Sequence, residues 1–175
     1  MRTLLPGLFL ALSCASPKPV PPSAPAVRRS IVLNGQRVGF STVSWNPDGS
    51  IANAVDIHEN GRGPHADAVI RLAPDGTIAS LDASGLTELN APVDEHFIVR
   101  RGRASWSSRE ERGEKDLTGP AYFIPNSATD SDAFLLAALR KNGGTLQLLP
   151  GGIARLEKVG DATVAVAGAQ THLGR

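Results

Sequence analysis

Asn46-Pro47-Asp48-Gly49 and Ala73-Pro74-Asp75-Gly76 are two copies of one turn signal, and they constrain the fold of this chain more than any other feature. Proline presets the first turn dihedral and Asp-Gly accepts the left-handed one, so each copy reverses the chain within a few residues. Asn34-Gly35 fits a two-residue hairpin turn in which both positions take positive φ. Gly61-Arg62-Gly63-Pro64, Arg101-Gly102 and Gly160-Asp161 are further breaks. A chain cut this often has room only for short elements.

The segments between the breaks alternate with period two. Ile51, Val55 and Ile57 fall on one side of Ile51–Glu59, opposite Ala52, Ala54, Asp56 and His58. Ala68, Ile70 and Leu72 line one side of the next segment, opposite Asp67 and Arg71, and Val93, Phe97 and Val99 oppose Asp94, His96 and Arg100. Such alternation marks half-buried antiparallel strands. Strands are expected at Val38–Trp45, Ile51–Glu59, Ala66–Leu72 and Thr77–Leu86, following one another as a meander. Others are expected at Val93–Arg100, Ala104–Ser108, Ala121–Ile124, Ile153–Val159 and Thr163–Ala169.

One helix stands apart, near 130–142. Phe134, Leu135, Ala138 and Leu139 form an apolar stripe at helical spacing, Thr129 and Asp132 stand in capping-box register, and Asn142-Gly143-Gly144 ends it. The expected class is mainly β, a β-rich α+β fold. Its sheet would be a curved antiparallel meander or partial barrel, with the single short helix over one face or end.

The N-terminus reads as a targeting segment rather than as fold. Arg2 precedes the apolar run Leu4 to Leu12, which is far shorter than the roughly 20 residues a bilayer span needs. Residues 1–14 are therefore expected to be a signal peptide, and Ala11-Leu12-Ser13-Cys14 resembles a lipoprotein signal with Cys14 as the lipidation site. Ordinary cleavage after Ala15 or Ala26 is the alternative. The expected location is the periplasm or, through acylated Cys14, the outer membrane of a Gram-negative bacterium. The membrane would be reached only through that lipid. Residues 15–29, with Pro17, Pro19, Pro21, Pro22 and Pro25, read as a disordered tether of extended polyproline character. Residues 30–175 are then a single β-rich domain of ordinary size.

Charge and cysteine content exclude several functions. Eighteen Lys and Arg oppose 17 Asp and Glu, with Arg2 alone accounting for the excess, so no basic footprint for nucleic acid exists. Arg100, Arg101 and Arg103 cluster, but Asp94, Glu95, Glu110 and Glu111 flank them. Cys14 is the only cysteine, so the folded part has no disulfide, no thiol nucleophile and no cysteine ligand for a metal.

The four histidines, His58, His65, His96 and His172, form neither His-x-His nor His-Glu-x-x-His. Asp56, His58, His65 and Asp67 would share one face of a β-hairpin, a pattern that an exposed polar face explains. Asp94-Glu95-His96 does not supply a local acid–base pair, because neighbours in a strand point to opposite faces. Ser41, Ser44, Ser105, Ser107 and Ser108 lie outside any Gly-x-Ser-x-Gly elbow. Gly61-Arg62-Gly63 runs into Pro64 and a strand, whereas a phosphate cradle opens onto a helix. No catalytic, metal or cofactor motif is present. The aromatic residues offer one binding candidate: Phe40, Trp45, Phe97 and Trp106 as an apolar ligand face on the curved sheet, with core packing as the competing assignment.

Several segments carry a family likeness. These are Asn60-Gly61-Arg62-Gly63-Pro64, Ala91-Pro92-Val93-Asp94-Glu95-His96-Phe97, Gly102-Arg103-Ala104-Ser105-Trp106, and Leu148-Leu149-Pro150-Gly151-Gly152-Ile153-Ala154-Arg155-Leu156-Glu157-Lys158. Together they resemble the N-terminal β-domain of secreted proteobacterial amidohydrolase-family proteins, in which a metal-dependent barrel follows. A barrel needs about 250 residues, and the His-x-His of its first strand is lacking here. The resemblance implies a non-catalytic exported module, truncated or stand-alone, whose partner is a missing or separate amidohydrolase barrel. A periplasmic carrier of a small apolar molecule or lipid is the alternative, and a small hydrolase using His58 or His96 ranks third.

Overall fold

The structure is a computed structural model. It describes residues 26–59, 61–127, 129–166 and 169–174, with those from 161 onward described by their backbone alone. The signal peptide, Cys14 and most of the tether lie outside the described residues.

Eight strands follow one another in chain order: β1 (Val27–Leu33), β2 (Gln36–Trp45), β3 (Ile51–Ile57), β4 (His65–Leu72), β5 (Ile78–Leu86), β6 (Pro92–Arg100), β7 (Arg103–Ser107) and β8 (Arg112–Asp116). Each pairs antiparallel with the next, giving a single meander sheet that does not close into a barrel. A second, three-stranded sheet is built from β9 (Ala121–Phe123), β10 (Thr145–Leu149) and β11 (Ile153–Arg155), with α1 (Ser131–Lys141) between β9 and β10. A hairpin of β12 (Asp161–Val166) and β13 (Ala169–Gly174) completes the chain order.

Local chemistry explains the reversals. In both Pro-Asp-Gly turns the glycine N–H donates to the carbonyl three residues back, at 3.0 Å for Gly49 and 2.9 Å for Gly76. The aspartate Oδ1 then accepts two bonds from the residue after the glycine. Ser50 gives its N–H at 2.9 Å and hydroxyl at 2.6 Å to Asp48, and Thr77 gives the same groups at 2.9 and 2.7 Å to Asp75. A third reversal, Thr87 to Ala91, repeats the backbone pattern with Asn90 (φ 60°) in the left-handed position. Asn34-Gly35 and Arg101-Gly102 are two-residue turns with both φ values positive.

The core forms on one face of the large sheet. Cross-strand pairing lines up Trp45, Ile51, Ile70, Leu81, Phe97, Trp106 and Gly113 as one row across seven strands. The adjacent row runs Val43, Asn53, Ala68, Ala83 and Glu95. Tyr122, Phe123, Ala138, Leu139, Leu146 and Leu149 from the β9–α1–β10 unit close over these rows, and Phe97 stacks on Phe123 at 4.3 Å. The Tyr122 hydroxyl donates to the Ser131 carbonyl at 2.7 Å, and burial pushes its pKa upward.

Several expectations need correction. β1 starts at Val27, inside the stretch read as tether, because Val27-Arg28-Arg29 pairs with Ser41 to Val43 on β2. β8 and β10 were not expected, since Arg112 to Asp116 is charged at four of five positions and Thr145 to Leu149 is only one short run. β10 runs parallel to β9, with α1 as the crossover between them. The expected strand Ile153–Val159 ends at Arg155. The expected strand Thr163–Ala169 is replaced by β12 and β13, and residues 167 and 168 lie outside the described residues. The Thr129–Asp132 capping box does not form: Asp130 is the N-cap, and Thr129 Oγ1 is buried without a partner. Asp130 instead donates its N–H to Asn53 Oδ1 at 2.9 Å, so the sheet positions the start of the helix.

Candidate functional site

The opposite face of the large sheet carries the other half of the alternation, a mixture of polar, small and a few apolar side chains. One row across it reads Ser44, Ala52, Val69, Asp82, His96, Ser107 and Arg112. Beside it runs Thr42, Ala54, Asp67, Ser84 and Asp94. Two shallow depressions of ≈ 630 and ≈ 450 Å³ lie on this face, and Asp82 and His96 line both. Small side chains (Ala52, Ala54, Ser80, Ser105) form their floor.

His96 stands at the junction and is held by two carboxylates. Its Nδ1 lies 2.7 Å from Oδ1 of Asp82, directly across the β5–β6 pair, and its Nε2 lies 3.0 Å from Oδ1 of Asp94, two residues back on β6. The hydrogen bond to Asp82 is the main cause that raises the His96 pKa, with the Asp94 charge adding to it. In the protonated ring both nitrogens donate and neither keeps a lone pair. Such an imidazolium can accept a proton or bind a metal only after one ring nitrogen has given up its own proton.

His58 and His65 each meet one carboxylate, near the far end of β3 and β4. His58 Nε2 is 2.7 Å from Asp56 Oδ1, and His65 Nε2 is 3.3 Å from Asp67 Oδ2. Asp56 faces His65 across the β3–β4 pair, so the four residues do share one face, as two separate pairs. Among the described residues no group of three or more His, Cys, Asp or Glu is arranged to hold a metal ion.

Glu95 takes the opposite face from His96, as alternation requires. It is 2% exposed, and its carboxylate accepts the N–H groups of Asn126 (2.8 Å) and Ser127 (3.0 Å) and the hydroxyl of Ser127 (2.7 Å). Its role is to pin the loop between β9 and α1 to the sheet.

The four aromatic residues proposed as an apolar ligand face do not line one groove. Phe97 is 2% exposed and covered by Phe123. Trp106 lies across Gly113, and Trp45 sits at the end of the same covered row, 44% exposed. Phe40 is on the other face, beneath the guanidinium of Arg28 at 3.9 Å. The physical reason is parity: Phe40 and Trp45 are separated by an odd number of positions on one strand, so they point to opposite faces. Arg112, which extends the His96 row beyond Ser107, carried no signal in the sequence because β8 itself was hidden. Among the described residues no helix is long and apolar enough to cross a membrane.

Comparison with protein-family models, with curated proteins and with solved structures finds no match for this chain.

Proposed function

We propose that this chain is a non-catalytic exported module that acts through its surfaces, of the kind that precedes the barrel in secreted amidohydrolases. The observation that carries the reading is the placement of His96: the one histidine that lines both depressions of the open face has its two ring nitrogens against Asp82 and Asp94. A second observation supports a docking role. Ile153, Leu156 and Val159, from the start of β11 to just before the last hairpin, are 63%, 39% and 79% exposed, apolar side chains available for packing against another domain. The test is turnover of p-nitrophenyl ester, phosphate and anilide substrates by the purified chain, with and without added zinc. No turnover above buffer is expected. Turnover that disappears on His96→Ala or His58→Ala would overturn the reading in favour of a small hydrolase.

The carrier reading keeps one specific support, the apolar part of the open face, where Ala52, Ala54 and Val69 line the ≈ 450 Å³ depression. It predicts saturable fluorescence enhancement of a fatty-acyl probe that Val69→Asp abolishes; a linear, unsaturable response removes it.

A further inference from the structure

The two edges of the large sheet are built differently. β8 closes one side with Arg112, Glu114, Lys115 and Asp116, and Arg103 ties down Glu114 and Asp116. An edge so densely charged resists pairing with a further strand. β1 closes the other side and, among the described residues, pairs only with β2. Its sequence, Val27-Arg28-Arg29-Ser30-Ile31-Val32-Leu33, has no proline, lysine or acidic residue. Val27, Val32 and Leu33 are 42%, 59% and 44% exposed. An edge strand of this length and apolarity is a template for strand addition.

We infer that β1 is a self-association edge, pairing antiparallel with β1 of a second copy of this chain to give a two-fold dimer whose large sheet runs through both copies. The occupant follows from the charges on the strand. The register of β1 against β2 shifts between Ile31 and Val32, but the residue skipped, Val38, belongs to β2, so β1 itself alternates throughout. A two-fold axis perpendicular to the sheet keeps each residue on its own face, and even-numbered residues oppose even and odd oppose odd. Centring the axis on Arg28 or Arg29 sets two arginines directly opposite each other, which is unfavourable. Centring it on Ile31 avoids that but gives up a pair at each end.

Centring it on Ser30 pairs all seven residues. Val27 then meets Leu33 of the second copy, Arg28 meets Val32, Arg29 meets Ile31, and Ser30 meets Ser30. No like charges face one another, and all three exposed apolar residues gain a neighbour. Arg28 is already held over the Phe40 ring at 3.9 Å, and Arg29 is bonded to Asp130 at 3.3 Å, so both guanidinium groups lean back onto their own copy. Pairing β1 with β8 of another copy would instead be head-to-tail and would polymerise.

This register gives a signed test. Val32 is exposed, so substitution there leaves the core intact, and in the dimer it lies opposite Arg28. Sedimentation velocity on the full chain across the micromolar range is expected to show a monomer–dimer equilibrium. Val32→Lys places two like charges opposite each other on both sides of the axis and weakens the dimer by roughly tenfold. Val32→Glu places opposite charges there and tightens it by roughly the same factor. The double variant Arg28→Glu, Val32→Lys restores the dimer. Circular dichroism melts confirm that each variant is folded. A wild-type monomer throughout, open-ended polymers, or equal effects of lysine and glutamate at position 32 would each overturn the inference. So would association insensitive to all three variants, which would place the contact elsewhere in the chain.

Discussion

Ser127 donates twice to the same oxygen of Glu95, through its backbone N–H at 3.0 Å and its hydroxyl at 2.7 Å. The carboxylate lies on the covered face of β6, opposite Ala83, where small residues leave room for the β9–α1 loop to approach the sheet. A buried charge without partners is costly, and here three donors meet it.

Glu95→Ala removes the acceptor and leaves the Asn126 and Ser127 N–H groups without one. The expected loss is about 3 kcal/mol of unfolding free energy, the range for buried bonds to a charged group whose partners are orphaned. Glu95→Gln keeps the shape and one acceptor oxygen and is expected to lose about half as much. Urea denaturation followed by far-UV circular dichroism measures both. Equal stability of wild type and Glu95→Ala would show that the loop does not depend on this anchor.

Gly113 is needed for a different reason. It sits directly across from Trp106 in the β7–β8 pair, and a methyl group on it would land within the indole ring. Gly113→Ala therefore forces Trp106 off its seat, at a cost of about 1–3 kcal/mol, the range for overpacking. In a Trp45→Phe background the emission of Trp106 is expected to shift to longer wavelength. An unshifted spectrum with unchanged stability would mean that the ring has another place to lie.

The parts of the fold that were legible in the sequence are the local ones. Asp48-Gly49 and Asp75-Gly76 announce their turns because the side chain and the left-handed residue are adjacent, and the alternation between them sets the faces of β3 and β4. Asn90 makes the same turn without glycine or proline, so the β5–β6 reversal looked less distinct. β8 was hidden because charges occupy both of its faces, one of which is left uncovered at the sheet edge. The β9–β10 pair was hidden because it is parallel and short, and only the helix between its strands reveals it. For the site, alternation correctly separated Glu95 from His96. It also separates Phe40 from Trp45, a consequence that similarity of chemistry obscured. The pairing of His96 with Asp82 depends on strand register across the β5–β6 turn, which one-dimensional patterning does not specify.

Arg101 is a position where the sequence is suboptimal for its backbone. It has φ 51°, in the left-handed region, within the two-residue turn between β6 and β7. A side chain there costs roughly 1 kcal/mol relative to glycine or asparagine. Arg101 makes none of the ion pairs that Arg103 makes, so little offsets that cost. Arg101→Asn is expected to raise stability by roughly 0.5–1 kcal/mol and to raise the melting temperature correspondingly. A lower melting temperature would show that the guanidinium has a stabilising role in this turn.

His96 and Asp48 make the pH dependence two-sided. The His96 pKa is raised in the folded chain, chiefly by its hydrogen bond to Asp82, so the folded state holds its proton more tightly than the unfolded chain does. The stabilisation is fully present below the unfolded value of about 6.5 and is lost as pH rises through the folded value. Asp48 works the other way. Hydrogen bonds from the Ser50 hydroxyl and N–H, and from Arg71, lower it to about 2, so its contribution is present above the unfolded value near 3.9 and is lost as pH falls toward 2. Both groups are solvent-exposed, so both contributions should shrink in high salt. The check is the stability difference between wild type and His96→Gln, measured from about pH 5 to about pH 9. It is expected to favour wild type at the acid end and to narrow toward the alkaline end, while Asp48→Asn narrows its own difference only in strong acid. A His96→Gln difference that is flat with pH would mean that the imidazole sits between Asp82 and Asp94 without being held protonated by them, and would reopen it as a base.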